Sequence, residues 1–463
     1  MAVVKIHSAK SRIRAALLNS GRYTIEEAER KLASMKIRVY LGEDVASTVA
    51  GQAAALTAIV TAVRSFDRVL LDGFLDVPLI QRLPVKGKTM REVGLALGAA
   101  LPDVGESTPR SVLIGTGGRT DSGQEVKAIW NGWSAGIAPA ASKLVAGRSD
   151  CALAGIAAGA LAVGQCFFAE QGDVRAGRRT EGVSLWEPDA EDWWGASGPP
   201  MAGVYLPAAL WLIGLGNLGQ AYVWSLTWLP YGARGQLTLF LQDFDRIGEE
   251  NWGTSILVHR KRYGDLKTFV AEDWCLKRGF KVQRIDRRLD ETLKRHDNEP
   301  GFAIAGLDRM EPRRLLGGPG FTHILDAGLG ADVSDYHQIR VSAFDESDRP
   351  EVRWAETTEQ AAYQVRKAAE REQALKSLKG YQEHTRKSKD ACGTAELMGI
   401  PVAVPFVGAF AGAVTVAQSV RIASGLAPYS NACGSISAPG LFRAELGKAA
   451  ERIRIGNVKA GVQ

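Results

Sequence analysis

Cysteine is scarce in this chain of 463 residues, and none of it is paired: the five cysteines, at positions 151, 166, 275, 392 and 433, form no CxxC motif. That spacing argues against a structural zinc site and against a disulfide framework. A secretory signal is also lacking, because the opening MAVVKIHSAKSRIR is too charged to hold an apolar core. A reducing, cytoplasmic address is therefore expected. The net charge of +6 is spread over 57 basic and 51 acidic residues, with no compact basic run or base-stacking module, so no nucleic-acid partner is expected. Nor is there an unbroken apolar run. The uncharged stretches 153–168, 203–233 and 399–420 are interrupted by glycine, in places by proline, and two lean on alanine. They fall short of the ~20 strongly apolar residues of a membrane span and are read as buried helices and strands, with no membrane partner.

What is present is an ordinary globular composition, 46% hydrophobic and 23% charged, at a length that predicts two or three structural units. Residues 23–34 are predicted as an amphipathic helix and 37–42 as a buried strand. An Ala/Val-rich helix (46–65) follows, then strands at 68–73 and 111–118. Strands alternating with helices imply an α/β fold with a mainly parallel sheet. Residues 170–200 turn charged and Gly/Pro-bearing, and are predicted as a linker that Trp186, Trp193 and Trp194 pack against a domain. A second α/β unit opens at 204, with strands at 236–245, 281–286, 302–308 and 323–330, a polar helix-forming segment near 345–390, and an apolar helix at 405–424. AGIAAGALAVGQ (154–165) echoes VGAFAGAVTVAQ (407–418). With two α/β units, that echo suggests a duplicated architecture.

The clearest phosphate signal is GLGNLG, Gly214 to Gly219, between the apolar strand ALWLI and the helical QAYVWSL. Glycines in that setting allow a tight turn and close approach of backbone N–H groups to phosphate at a helix N-terminus. The acid expected about 20 residues on is Asp243, whose carboxylate could accept both ribose hydroxyls. To this point a nicotinamide-dependent oxidoreductase fits equally well. The next residues separate the two: DFDRIGEENW ends near Asn251, Lys267 follows sixteen residues later, and FAIAGLD delivers Asp308 at a strand end.

Over roughly residues 205–425 this pattern resembles the ThiF/ubiquitin-activating superfamily. The family's glycine turn falls on Gly214, Gly216 and Gly219, its DxD on Asp243 and Asp245, and its Asn and Lys on Asn251 and Lys267. Its strand-end Asp and following Arg fall on Asp308 and Arg313. The resemblance implies two Rossmann-like adenylation folds in one chain, with ATP and Mg²⁺ as cofactors. Residues 1–195 would be an inactive fold with its linker, since the first half has no GxGxxG and GTGG (115–118) lacks the accompanying set. Residues 196–463 would be the active fold, with a helical crossover insertion at 345–392. It further implies that Lys267 acts as a point charge on the phosphates, that Asn251 donates to them, that Asp308 holds Mg²⁺ through hard carboxylate oxygen, and that Arg313 belongs to the catalytic set. The family's arginine three residues after the Asn is Thr254 here. Arg260, Lys261 or Arg262, or the other half, would have to substitute. Arg12 and Arg14 are candidates for the arginine that one fold lends to the other's ATP; a basic N-terminal helix face is the plain alternative.

Cys392, in DACGTAELMGIPVAVPFVGAFAGA, matches the family's transfer cysteine, which implies a thioester with the C-terminal glycine of a ubiquitin-like protein and handover to a conjugating enzyme. His384, Arg386, Lys387 and Lys389 lie close enough in sequence to lower its pKa. Cys433 is the rival nucleophile; Cys151, Cys166 and Cys275 are read as packing residues. About 40 residues follow the last predicted helix, too few for the ubiquitin-fold domain of larger eukaryotic relatives. The build resembles the compact activating enzymes of bacterial ubiquitin-like conjugation operons, some of them tied to phage defence. The alternatives are an adenylyltransferase for sulfur-carrier or peptide modification without a thioester, an NAD-dependent oxidoreductase, or a non-catalytic scaffold.

Overall fold

Ile37, Val39 and Leu41 alternate with Lys36, Arg38 and Tyr40, so the strand they form buries alternate side chains more deeply than their neighbours. In the computed structural model, which describes residues 8–118, 123–147, 149–232, 235–330, 332, 334–388, 391–447 and 456–461, without the side chains of 388 and 391–393, this is β1 (Lys36–Leu41) of a first sheet. Its companions are β2 (Arg68–Gly73), β3 (Arg110–Ile114), β4 (Gln124–Asn131), β5 (Ser134–Pro139) and β6 (Glu181–Ser184). The order is β2-β1-β3-β4-β5-β6, parallel from β2 to β4 and antiparallel at β5 and β6. β6 corrects the sequence reading: part of the stretch expected as a linker is the edge strand of this sheet. Trp186 just beyond it is buried, its ring 4.8 Å from that of Trp133.

The second sheet follows β7 (Tyr205–Pro207) and takes in β8 (Ala209–Ile213), β9 (Thr238–Gln242), β10 (Lys281–Ile285), β11 (Phe302–Ala305), β12 (His323–Leu329), β13 (Gln338–Asp345), β14 (Tyr429–Ser435) and β15 (Ala438–Leu446). β7 pairs instead with β16 (Asn457–Lys459). The eight strands run β10-β9-β8-β11-β12-β13-β14-β15, parallel as far as β12 and antiparallel beyond.

The two sheets share a helical seam. Ala152–Glu170 and Pro405–Ala423 are buried almost throughout and pack on each other, each also backed by a helix of its own half, Val49–Ser65 after β1 and Asn217–Thr227 after β8. Glycines at matching places permit this. A Cβ on Gly155 or Gly159 would overlap the Ala50 or Ala54 carbonyl, and one on Gly408 or Gly412 would overlap Asn217 or crowd Ala221. These positions coincide in the 154–165 and 407–418 echo, so the echo records a packing requirement repeated in both halves. The two seam helices are long and apolar enough to cross a membrane by length and composition, and both are buried inside the fold. One hydrophobic cluster joins both halves.

The polar insertion forms the helices Thr358–Lys376, Lys379–Ser388 and Ala391–Met398. The first buries only Leu375. The second is fastened to the first half, where Lys379 pairs with Glu27 at 3.0 Å and Lys387 with Glu26 at 3.4 Å, and the Tyr381 hydroxyl donates to Asn19 at 2.5 Å.

Candidate active site

β8 lies between β9 and β11: the chain runs outward from β8 to β9 and β10 on one side and returns to β11 on the other, so the strand order reverses here and a crevice opens at the C-terminal ends. A cavity of about 950 Å³ occupies that crevice. Gly214 begins the turn at φ +83°, in the left-handed region, and its N–H donates to Gln242 O at 2.9 Å. Gly219 lies so close to Gly214 O that any Cβ would overlap it, whereas Gly216 faces open space within the cavity wall. The Asn217–Thr227 helix thus starts at the cavity, with its first N–H groups and positive dipole end available to an anion.

Asp243 closes the turn from the tip of β9. Its carboxylate accepts from Leu215 N at 2.6 Å and Asp245 N at 2.8 Å, with 8% of the residue exposed. Lys267, first residue of the Lys267–Arg278 helix, places Nζ 2.7 Å from Asp245. Asn251 Oδ1 accepts from Gly248 N at 2.7 Å, which fixes the short turn that presents it. Asp308 stands exposed just past β11. Gly214, Gly216, Asp243, Asp245, Asn251, Lys267, Asp308 and Arg313 all line the one cavity; Gly219 stands behind the wall.

Arg313 is not a loose cation. Nη2 meets Asp326 Oδ2 at 2.6 Å and Nε meets Oδ1 at 3.2 Å, a bidentate pair. Asp326, on β12, is 1% exposed, and burial pushes its carboxyl up to about 6 although Arg313 pulls the other way. Sequence reasoning passed over Asp326; its signal was a charged residue at an inward place in the apolar HILDAGL. It also passed over Arg287, Arg288 and Arg309, which line the cavity, and over Phe244, whose ring lies 4.3 Å from the Arg288 guanidinium. Cationic side chains in the wall are Arg12, Lys267, Arg287, Arg288, Arg309 and Arg313, against the carboxylates Asp243, Asp245, Asp308 and Glu311. The surplus suits a polyanionic ligand.

Thr254 lines the cavity and is 3% exposed. The neighbouring cations do not stand in for an arginine there: Arg260 stacks 4.4 Å over Trp252, Arg262 pairs with Asp265 at 2.8 Å, and Lys261 is outside the wall. One cation of the wall comes from the first half. The backbone of Gly253 sits directly on Ala9, and the Ser11–Asn19 helix that starts there brings Arg12 into the wall. Arg14, two residues on, is buried and pairs with Glu29 at 2.5 Å.

The matching end of the first sheet is built differently. After β1 the chain runs Gly42-Glu43-Asp44, and Asp44 Oδ1 accepts from Thr116 N at 2.8 Å. A carboxylate therefore stands where the second half leaves bare glycine backbone.

Cys392 falls in the first turn of the Ala391–Met398 helix; its side chain lies outside the described residues, as does Lys389. The segment that follows, Gly399 and Pro401 to Val404, lines the same cavity with Leu329, Gly330 and Tyr336, and Val404 O accepts from Asn217 Nδ2 at 3.3 Å. His384 Nδ1 is 2.8 Å from Thr394 Oγ1 on the same helix as Cys392. Cys151 and Cys166 are buried and pushed up to about 12, and burial raises Cys275 as well, which leaves them unreactive. Cys433 is half-buried on β14, in register between Arg340 and Arg443.

Comparison with known proteins gives matches to a BilD N-terminal domain profile over residues 36–185 and a BilD C-terminal domain profile over residues 206–426. The bacterial E1-like protein BilD of Collimonas sp. (strain OK412) is 33% identical over 439 residues, covering 93% of this chain and 92% of that protein. Among solved structures, E. coli MccB aligns at 14% identity and TM-score 0.32 over 55% of this chain and 63% of that one. The E. coli tRNA N6-threonylcarbamoyladenosine dehydratase TcdA aligns at 18% identity and TM-score 0.28 over 46% of this chain and 85% of that one.

Proposed function

The chain belongs to the BilD family of bacterial E1-like proteins, and from that premise we propose that it adenylates the C-terminal carboxylate of a ubiquitin-like protein and then holds the acyl group on Cys392 as a thioester. The observation that carries this reading is the convergence of the glycine turn, Asp243, the Asp245–Lys267 pair, Asn251 and Asp308 in one cavity with surplus positive charge.

In the first step a carboxylate oxygen attacks the α-phosphorus of ATP, forming an acyl-adenylate and expelling pyrophosphate. Two anions must meet, so the chain's work is to neutralise and orient. The turn and the helix behind it receive phosphate, and Lys267 exchanges its hold on Asp245 for a share in the phosphate charge. Arg12 stands in for the arginine absent at Thr254, and Arg313 is kept in place by Asp326. Mg²⁺ fits the donor set, because it is satisfied by one protein carboxylate together with phosphate oxygens and water; Asp308 would hold it, and bound there it would shield the phosphate charge. In the second step the Cys392 thiolate attacks the carbonyl carbon, the carbon–oxygen bond to AMP breaks, and a thioester is left for transfer to a conjugating enzyme. The part of the cavity wall formed by Leu329 and Pro401, on the segment that follows Cys392, would be the approach for the substrate's glycine-ended tail. The first half, with Asp44 at its turn, would not bind nucleotide. A reducing cytoplasm would keep the thiol free, and a part in phage defence belongs to the same proposal.

Calorimetric titration with ATP·Mg²⁺ and separately with NAD⁺, on the wild type and on Asp308→Ala, tests the reading. ATP binding that weakens in the variant is the expected result; NAD⁺ binding without ATP binding overturns it.

A further inference from the structure

The loop that presents Asn251 and Thr254 to the cavity is itself buried, and a buried loop must find partners for its carbonyls. Three of them, on Ser255, Ile256 and Val258, turn toward a single side chain from the other half of the protein. Arg64, in the last turn of the Val49–Ser65 helix and 4% exposed, donates from Nε to Ser255 O at 3.3 Å, and from Nη2 to Ile256 O at 2.8 Å and Val258 O at 3.0 Å. Its Nη1 is anchored on Val60 O of its own helix at 2.7 Å. The guanidinium also lies 5.7 Å from the ring centroid of Trp252, which Arg260 approaches at 4.4 Å. The loop is also tied to the helix of the glycine turn, where Leu257 N donates to Gln220 Oε1 at 3.0 Å.

All four acceptors are main-chain carbonyls, and among the described residues no carboxylate pairs with this guanidinium. Burial without a counter-ion holds its pKa down to about 9, still charged at neutral pH. A planar fork with several fixed donors suits three diverging carbonyls; a lysine, with one nitrogen, does not span them.

We propose that Arg64 is a positioning residue of the nucleotide cavity: the half that lacks the glycine turn sets Asn251 and Thr254 by holding the three carbonyls behind them. This rests on the adenylation reading. An arginine that merely filled the core would lower stability when replaced and leave nucleotide affinity alone.

Arg64→Lys and Arg64→Gln, each confirmed folded by circular dichroism well below its melting temperature, are titrated with ATP·Mg²⁺ beside the wild type and Gln165→Met. Gln165 bridges the two halves through partners outside the loop, donating to Ile436 O at 2.8 Å and accepting from Gly177 N at 2.8 Å. The expected result is an ATP Kd raised about tenfold or more in either folded Arg64 variant, the equivalent of at least one lost buried hydrogen bond, while Gln165→Met melts lower with wild-type Kd. Wild-type affinity in a destabilised Arg64 variant overturns the proposal, as does an equal loss of affinity in Gln165→Met. No ATP binding by the wild type overturns the adenylation reading, and the proposal with it.

Discussion

Protonating one buried carboxylate should stabilise this fold and loosen its active site at once. Asp326 is 1% exposed and holds Arg313 through two bonds, at 2.6 and 3.2 Å. Burial lifts its carboxyl from 3.8 to about 6. Since the folded value lies above the unfolded one, the stabilisation from protonation is fully present below about 3.8 and is lost as pH rises through about 6. At 1.36 kcal/mol per unit, a shift of about two units is worth ~3 kcal/mol, of which ~2 kcal/mol falls between pH 4 and pH 7. Urea unfolding of the wild type and Asp326→Asn across that interval should therefore show the wild type losing ~2 kcal/mol relative to the variant.

Function should move the other way. Arg313 lines the cavity, and a protonated Asp326 keeps at most a weaker, neutral bond to it. ATP affinity of the wild type should fall as pH drops below about 6, and the Asn variant should lack that limb; the nucleotide's own titration is common to both and cancels. Parallel stability curves for the two proteins between pH 4 and pH 7 would refute the argument, because they would mean that Asp326 does not titrate in that interval.

Three further outcomes are expected. Gly219→Ala should abolish measurable ATP binding and cost about 2 kcal/mol of stability, since its Cβ overlaps the unyielding Gly214 carbonyl; wild-type affinity in calorimetry would contradict the turn geometry. Arg12→Ala should weaken ATP binding by about tenfold at nearly unchanged melting temperature, whereas Arg14→Ala should melt earlier and keep its ATP affinity, because Arg14 is buried against Glu29. Cys392→Ala should retain ATP–pyrophosphate exchange with a β-grasp substrate and lose the thiol-sensitive adduct; an adduct that survives there and disappears in Cys433→Ala would move the nucleophile to β14.

The features legible in the sequence are those whose physics is local. The turn from Gly214 to Gly219 and the run from Asp243 through Asn251 to Lys267 follow two consecutive, adjacent parallel strands, β8 and β9, so spacing alone brings them to one cavity. The echo of 154–165 in 407–418 was legible because close helix packing demands glycine at fixed intervals. Strands β14 and β15 were not, since YSNACGS and APGLFRAEL carry few β-branched residues, and pairing with β13 decides their conformation. β6 was hidden by charged neighbours in a stretch that composition marks as a connection. Arg64 and Asp326 escaped for another reason: each acts through a partner distant in sequence or out of pattern, and no spacing within its own segment announces that partner.

These cross-half contacts explain why a half without a glycine turn would be kept in the chain. The second half alone has the turn, the acids and Lys267, yet three of its needs are met from outside. Arg12 adds a cation to the cavity wall that Thr254 also lines. Arg64 supports the loop behind Asn251. The helix next to the Cys392 segment rests on Glu26, Glu27 and Asn19. Each of these three contacts leaves the first half from its helices, and none from the strand ends where Asp44 occupies the turn. The two ends of that half are thus under different physical demands. At the strand ends a carboxylate can replace bare glycine backbone without disturbing the seam, whereas on the seam itself Gly155 and Gly159 leave no room for even a methyl group. Absence of the glycine turn from the first half is therefore compatible with full retention of its shape, because the strand ends and the seam are separate surfaces.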